Sequence, residues 1–337
     1  MQNLAAFKEL LSLPKRIVIT THVYPDADAL GSSLALAGYL LKTGHQVNVI
    51  APTDYPDFLK WMEGNENVLI FQGNEEKAQY QIENADLVFC LDFSSLKRIG
   101  KLGEMVADSD AEKVLIDHHL NPETFAQYVL WSTEAAATAE LVYDLIEMLD
   151  GTEKITRSMA EALYAGLVTD TGNFKLPSTT PHVHEIVANL MELGADVSRV
   201  SHNIYDQNSF GRIRLMGFAL LERLELIEDT NVAFFYLSLE DKQRFNYKPG
   251  DSEGLVNYGM SIEGVNVSAI FIEEQEEVKI SFRSFGEIPI NDFARKYFNG
   301  GGHKNAAGAT STDSLEDTIA KFKQLVTNQT KELNYEV

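Results

Sequence analysis

Five short apolar runs, at Arg16–Thr20, 46–50, 68–71, Leu87–Leu91 and 114–116, constrain this chain more than any other feature. Several are continuous instead of alternating, so both faces of each strand must be covered, as in a parallel sheet with helices on either side. Helix-like stretches at 31–42 and 56–62 lie between them, and Gly44 supplies a stop for the first. The pattern predicts a doubly wound α/β unit to about Asp150, leading into helices at 138–149, 156–168 and 181–193. A chain of 337 residues is long for one core, and a second pattern begins near Val232. Val265, Val267, Ala269 and Phe271 alternate with their neighbours, as do Val278, Ile280 and Phe282, with the charged turn 273–277 between them. That predicts a β-hairpin with one face buried. A short helix at 292–298, a glycine-rich turn and an amphipathic helix begun by Ser314-Leu315-Glu316-Asp317 complete an α+β domain. The expected fold is therefore α/β: a doubly wound, mainly parallel sheet at 1–195, a helical linker at 196–229, and a smaller α+β domain at 230–337.

Twenty-eight basic against fifty acidic residues leave a net charge of −22, which opposes binding to long nucleic acid. The charge leaves open short anionic substrates drawn to a local cationic pocket. A single cysteine, Cys90, excludes an internal disulfide framework and reads as a small buried hydrophobe in 87–91. No run is long enough to span a bilayer, and Met1-Gln2-Asn3-Leu4 does not open a signal peptide. The expectation is a cytoplasmic protein without a membrane partner.

The chemistry sits where apolar runs end. The first runs into His22, Asp26 and Asp28, on a segment where Pro25 argues for a loop instead of a helix. The run at Leu87–Leu91 ends in Asp92, and that at 114–116 in Asp117-His118-His119. Asp170, in a polar turn after a later helix, is a fourth contribution. Parallel strands share one carboxyl edge, so these groups can meet in one crevice. One such aspartate alone is more simply a cap or turn residue, and a lone His-His pair is usually solvated surface. Their coincidence at successive strand ends is what points to metal, because clustered carboxylates cannot stay charged and unneutralised. Carboxylates mixed with imidazoles, without thiolate, favour Mn²⁺ or a related first-row ion over an all-oxygen Mg²⁺ site. Two ions fit the inventory better than one, with His22, Asp26 and Asp92 around the first. Asp28, Asp92, His118 and Asp170 would hold the second, with Asp92 bridging and a hydroxide between the ions attacking phosphorus. Asp117 would orient an imidazole.

These segments resemble the four motifs of the DHH phosphoesterase family: His22-x3-Asp26-x-Asp28 followed by Ala29-Leu30-Gly31-Ser32, the isolated Asp92, Asp117-His118-His119, and Thr169-Asp170-Thr171-Gly172. Gly300-Gly301-Gly302-His303-Lys304-Asn305-Ala306-Ala307-Gly308 resembles the glycine-rich signature of the DHH-associated domain. The resemblance covers nearly the whole chain, in order. It implies a two-metal phosphoester hydrolase, usually Mn²⁺-dependent with Mg²⁺ or Co²⁺ as substitutes, whose active site lies between the two domains. It further implies that His119 contacts the scissile phosphate. Arg283 and His303, with Gly301 and Gly302 beside them, would clamp the substrate's other phosphate. The length and the two-domain plan resemble the nanoRNase/pAp phosphatase branch, which takes very short RNA and 3′-phosphoadenosine 5′-phosphate (pAp). The rivals are a stand-alone cyclic di-AMP or pApA phosphodiesterase and a catalytically silent nucleotide-binding module. A homodimer is the expected partner state.

Overall fold

The computed structural model describes residues 1 and 3–328, and the chain divides into two compact units, 1–207 and 208–337. In the first, six parallel strands run β1 Arg16–Thr20, β2 Gln46–Ala51, β3 Leu69–Ile70, β4 Leu87–Leu91, β5 Glu112–Asp117 and β6 Tyr128–Trp131. Their spatial order is β3-β2-β1-β4-β5-β6. The connections therefore reverse direction between β1 and β4, at the centre of the sheet. That reversal opens a crevice at the carboxyl ends of these two strands. The helices are α1 Leu4–Leu10, α2 Ala27–Lys42, α3 Glu75–Glu83, α4 Lys101–Asp108, α5 Thr138–Met148, α6 Arg157–Asp170, α7 Pro181–Glu192 and α8 Val197–Tyr205.

The continuous apolar runs have the expected cause. Ile17 and Ile19 of β1 enter one core with Phe89, Leu91, Val114 and Ile116, while Val18 enters a second with Val88, Cys90 and Leu115. Both faces are thus dry, and each such side chain contributes about 1.5–3 kcal/mol when buried. Cys90 is fully buried, and that burial pushes its thiol pKa upward, so it packs as an inert hydrophobe.

Helices α2 and α6 cross at backbone distance because glycine stands at the contact. A Cβ on Gly31 would lie 2.3 Å from the Ala162 carbonyl oxygen, and one on Gly166 would lie 2.5 Å from Oδ1 of Asp28. The crossing therefore sets the position of Asp28 as well as the packing.

Several local expectations are corrected. Helix α2 starts at Ala27, not at 31, because the Asp26 side chain accepts from the Asp28 and Ala29 amides, both at 3.0 Å. Pro25 precedes that cap and so does not prevent the helix. Asp170 is the last residue of α6 and not part of a turn. The segment 56–62 holds only the 3₁₀ turn Asp57–Leu59. Strand β6, only four residues long, and helices α3 and α4 were not anticipated.

The second unit contains α9 Phe210–Glu222, β7 Leu224–Leu226, β8 Val232–Leu237, α10 Leu239–Arg244, α11 Leu255–Met260, β9 Val267–Glu273 and β10 Val278–Ser284. It continues with α12 Ile290–Tyr297, β11 Asn299–His303, β12 Ala306–Ser311 and α13 Leu315–Asn328. The sheet order is β11-β12-β10-β9-β8-β7, antiparallel except for the β8–β9 pair. The helices expected as a linker at 196–229 are divided: α8 packs on α6 in the first unit, and α9 packs on β7 and β8 in the second. The hairpin of β9 and β10 forms as expected, but β9 is buried on both faces. Its Val267, Ala269 and Phe271 enter one core, and Ile270 and Ile272 another. The glycine-rich segment is strand β11 instead of a turn. Ser314 caps α13 as anticipated, its Oγ accepting from the Asp317 amide at 3.1 Å.

Candidate metal centre

Every residue of the first unit named from the sequence arrives at the crevice between β1 and β4. His22 follows β1 by two residues, Asp26 caps α2, and Asp28 lies in its first turn. Asp92 leaves β4 directly in a left-handed conformation, with φ of 63°. For a non-glycine residue that conformation is uncommon and marks a site where the surroundings hold the backbone. Asp117 ends β5 and puts His118 and His119 beyond the sheet edge, and Asp170 ends α6.

The donor atoms converge around the carboxylate of Asp92. Its Oδ2 lies 3.3 Å from Nε2 of His22, and its Oδ1 lies 3.4 Å from Nε2 of His118. Asp26 adds an oxygen 3.9 Å from His22. Asp170 and Asp28 add oxygens 3.5 and 4.0 Å from His118. On the far side of each ring, Nδ1 of His22 faces the Val23 carbonyl at 2.8 Å and Nδ1 of His118 faces that of Ala135 at 3.3 Å. A carbonyl only accepts, so Nδ1 carries a proton in both rings and Nε2, which faces the carboxylates, is the atom left to bind a cation. Two such triads, His22–Asp26–Asp92 and Asp28–Asp92–His118, have ligand atoms within 4.8 Å of one another. A neutral imidazole lone pair aimed at carboxylate oxygens is unfavourable unless a cation lies between them. The donor set therefore fits divalent metal.

The electrostatics carry the same message. Burial opposes charge on His22, but its hydrogen bond to Asp92 and the fields of Asp26 and Asp92 raise its pKa to about 9. Burial likewise opposes charge on His118, yet Asp92, Asp170 and Asp28 carry its pKa well above the usual value. Burial and the Asp92 charge raise Asp28 to about 7, and burial with the Asp28 and Asp26 charges raises Asp170 well above an ordinary carboxyl. Asp92 is held low despite its burial, because His118 and His22 hydrogen-bond to it. Without metal, the centre holds protons in the cations' place.

His119 is oriented differently. Its Nδ1 meets Asp117 Oδ1 at 2.8 Å, so Asp117 positions this imidazole as expected. The sequence did not single out Thr138, whose Oγ1 donates to Asp92 Oδ1 at 2.9 Å. Its amide and that of Ala139 donate to Asp28 at 2.6 and 2.9 Å, so Asp28 caps α5 across the fold. Thr138 was legible only as the first residue of a helix. Arg98, whose positive charge opposes protonation of His22, carried no motif at all.

In the second unit, Arg283 of β10 and His303 of β11 are both register partners of Ala306 on β12. Residues paired in one row share a sheet face, so these two side chains stand on the same face, about 10 Å apart at the backbone. Gly302 has φ of 138°, and a Cβ there would lie 2.5 Å from the Ala306 oxygen. A Cβ on Gly301 would meet nothing within 4 Å.

Comparison with known proteins agrees with both units. Residues 16–167 match the DHH family, N-terminal domain, and residues 229–332 match the DHHA1 domain. The chain is 34% identical over 298 residues to the bifunctional oligoribonuclease and PAP phosphatase NrnA of Thermus thermophilus, covering 87% of this chain and 83% of that protein. It is 29% identical over 320 residues to the protein of the same name from Bacillus subtilis, covering 94% and 96%. The crystal structure of an exopolyphosphatase-related protein from Bacteroides fragilis matches with a TM-score of 0.94 at 38% identity, covering 98% of this chain and 97% of that one. Among the described residues, no helix is long and apolar enough to cross a membrane. The chain thus belongs to the DHH phosphoesterase family, its DHH domain followed by a DHHA1 domain.

Proposed function

We propose that this enzyme hydrolyses short oligoribonucleotides to mononucleotides and dephosphorylates pAp to AMP, using two divalent ions, Mn²⁺ foremost. The observation that carries the two-ion reading is the split of one carboxylate: Asp92 turns Oδ2 to His22 and Oδ1 to His118. His22, Asp26 and Asp92 hold one ion, and Asp28, Asp92, His118 and Asp170 the other. When bound, the pair activates water at neutral pH and neutralises charge on the phosphoryl group. Thr138 fixes the rotation of Asp92, and the amides capped by Asp28 hold that carboxylate in place. His119, held by Asp117, donates to an oxygen of the scissile phosphate where charge develops. Arg283 and His303, with the amides of Gly301 and Gly302, take the substrate's other phosphate. A clamp on a second phosphate selects short substrates, in keeping with a chain of net charge −22. The two relatives named for oligoribonuclease and PAP phosphatase activities support this substrate pair.

The test is a side-by-side rate comparison on pAp, two- to five-nucleotide RNA, pApA and cyclic di-AMP with Mn²⁺, repeated with Mg²⁺ and Co²⁺. Highest kcat/KM on pAp and short RNA is expected. A cyclic di-AMP rate above both would overturn the substrate assignment.

A further inference from the structure

An exposed tryptophan stands beside the metal centre without a role in it. Trp131 ends β6 as the register partner of Asp117, and its indole N–H donates to the His119 carbonyl at 2.7 Å. His119 in turn has Nδ1 within 3.6 Å of Asp92 Oδ1. The indole is therefore fastened one residue away from the carboxylate on which the centre is built, yet 39% of Trp131 remains exposed. The other tryptophan, Trp61, is covered by the Arg199 guanidinium, 5.6 Å from its ring.

Fastening the His119 carbonyl requires only an N–H, which glutamine or lysine would supply without exposing apolar surface. What an indole adds is a rigid aromatic face, held in one orientation by its own hydrogen bond. A nucleotide whose phosphate lies at the centre carries its base one sugar's length away. An acidic protein gains little from general phosphate attraction, so stacking is a natural source of affinity for short substrates.

We propose that Trp131 is a stacking platform for a nucleobase of the substrate, selecting base-bearing phosphoesters over base-free ones. This rests on the phosphoesterase reading for its substrate class. Two substitutions separate the platform from the hydrogen bond. Trp131→Phe keeps a ring and loses the N–H, whereas Trp131→Gln keeps an N–H and loses the ring. For wild type, the KM for pAp should lie below that for ribose 3,5-bisphosphate. Trp131→Gln should collapse that ratio about tenfold, while Trp131→Phe should keep most of it. A loss of kcat on both substrates in Trp131→Phe, with the ratio intact in Trp131→Gln, would show that the residue only fastens His119 and would overturn the proposal.

A binding measurement decides the matter without turnover. In a Trp61→Phe background, where Trp131 is the remaining tryptophan, AMP in Mg²⁺ buffer should quench the emission and ribose 5-phosphate should not. Equal responses to the two, or none to either, would overturn the platform. Failure to hydrolyse pAp or RNA with the quench intact would instead count against the proposed reaction.

Discussion

In the first unit, Asp28, Asp92 and His118 are buried against one another's charges, the two carboxylates held by Thr138 at the start of α5 and the imidazole by the Ala135 carbonyl. In the second, Gly301 and His303 lie on an edge strand, and Gly301 has open space where a side chain would be. The first arrangement is costly unless something neutralises it, which is why its composition alone points to metal. The second costs nothing to leave empty, so its composition points to no ligand by itself. Its meaning depends on a row of the sheet, where Arg283 and His303 share Ala306 as a partner. Interlocked charge tolerates no substitution, whereas an open strand tolerates some positions and not others.

The largest effect that would break this contrast is at Asp92. Asp92→Asn keeps the shape and removes the charge facing both histidines, and kcat on pAp should fall by about 10³-fold. Near-normal turnover with Mn²⁺ would remove the basis for a bridged pair of ions.

Chelation should expose the buried charges next. His22, raised from 6.5 to about 9, stabilises the metal-free fold fully below its ordinary value, and that contribution is lost as pH rises through 9. Asp28, raised from 3.8 to about 7, acts in the same direction, since its burial favours the protonated carboxyl and penalises the fold once it ionises. The Tm of chelated protein should therefore fall by several degrees between about pH 6 and 9. Added Mn²⁺ should reverse the trend, because the metal replaces those protons. A Tm rising with pH in EDTA would contradict the proton-held centre.

In the second unit, Gly302→Ala forces a side chain into a left-handed conformation against the Ala306 oxygen and should cost about 2–3 kcal/mol in urea denaturation. Gly301→Ala should leave stability within about 0.5 kcal/mol and raise KM alone, through obstruction of the proposed phosphate contact. Equal destabilisation by both would erase the distinction between packed and open glycines.

A smaller effect on turnover than at Asp92 is expected at Thr138. Thr138→Val removes one hydrogen bond to Asp92 and should lower kcat about tenfold, corresponding to about 1.4 kcal/mol, with little change in KM. An unchanged kcat would mean that Asp92 is oriented by its histidines alone.

Much of this was legible before any coordinates. Dry parallel strands follow from continuous apolar runs, since only a sheet covered on both faces buries Ile17, Val18 and Ile19 together. Strand-end Asp and His residues imply one crevice, because parallel strands share an edge. Strand β6 was missed because its four residues carry too little pattern, and with it went Trp131. The glycine-rich strand was read as a turn because φ freedom and close approach call for the same residue.

What the sequence determined by itself was the inventory: which strands are buried, which groups must be neutralised, and which motifs follow in which order. Only the tertiary structure decided the pairings. Asp92 meets two histidines from separate segments, Thr138 reaches it from 46 residues away, and Asp28 caps a helix 110 residues distant. Local periodicity reports which face of an element is buried but not what lies across from it. That choice is made when whole elements pack, here where Gly31 and Gly166 let two helices close on each other.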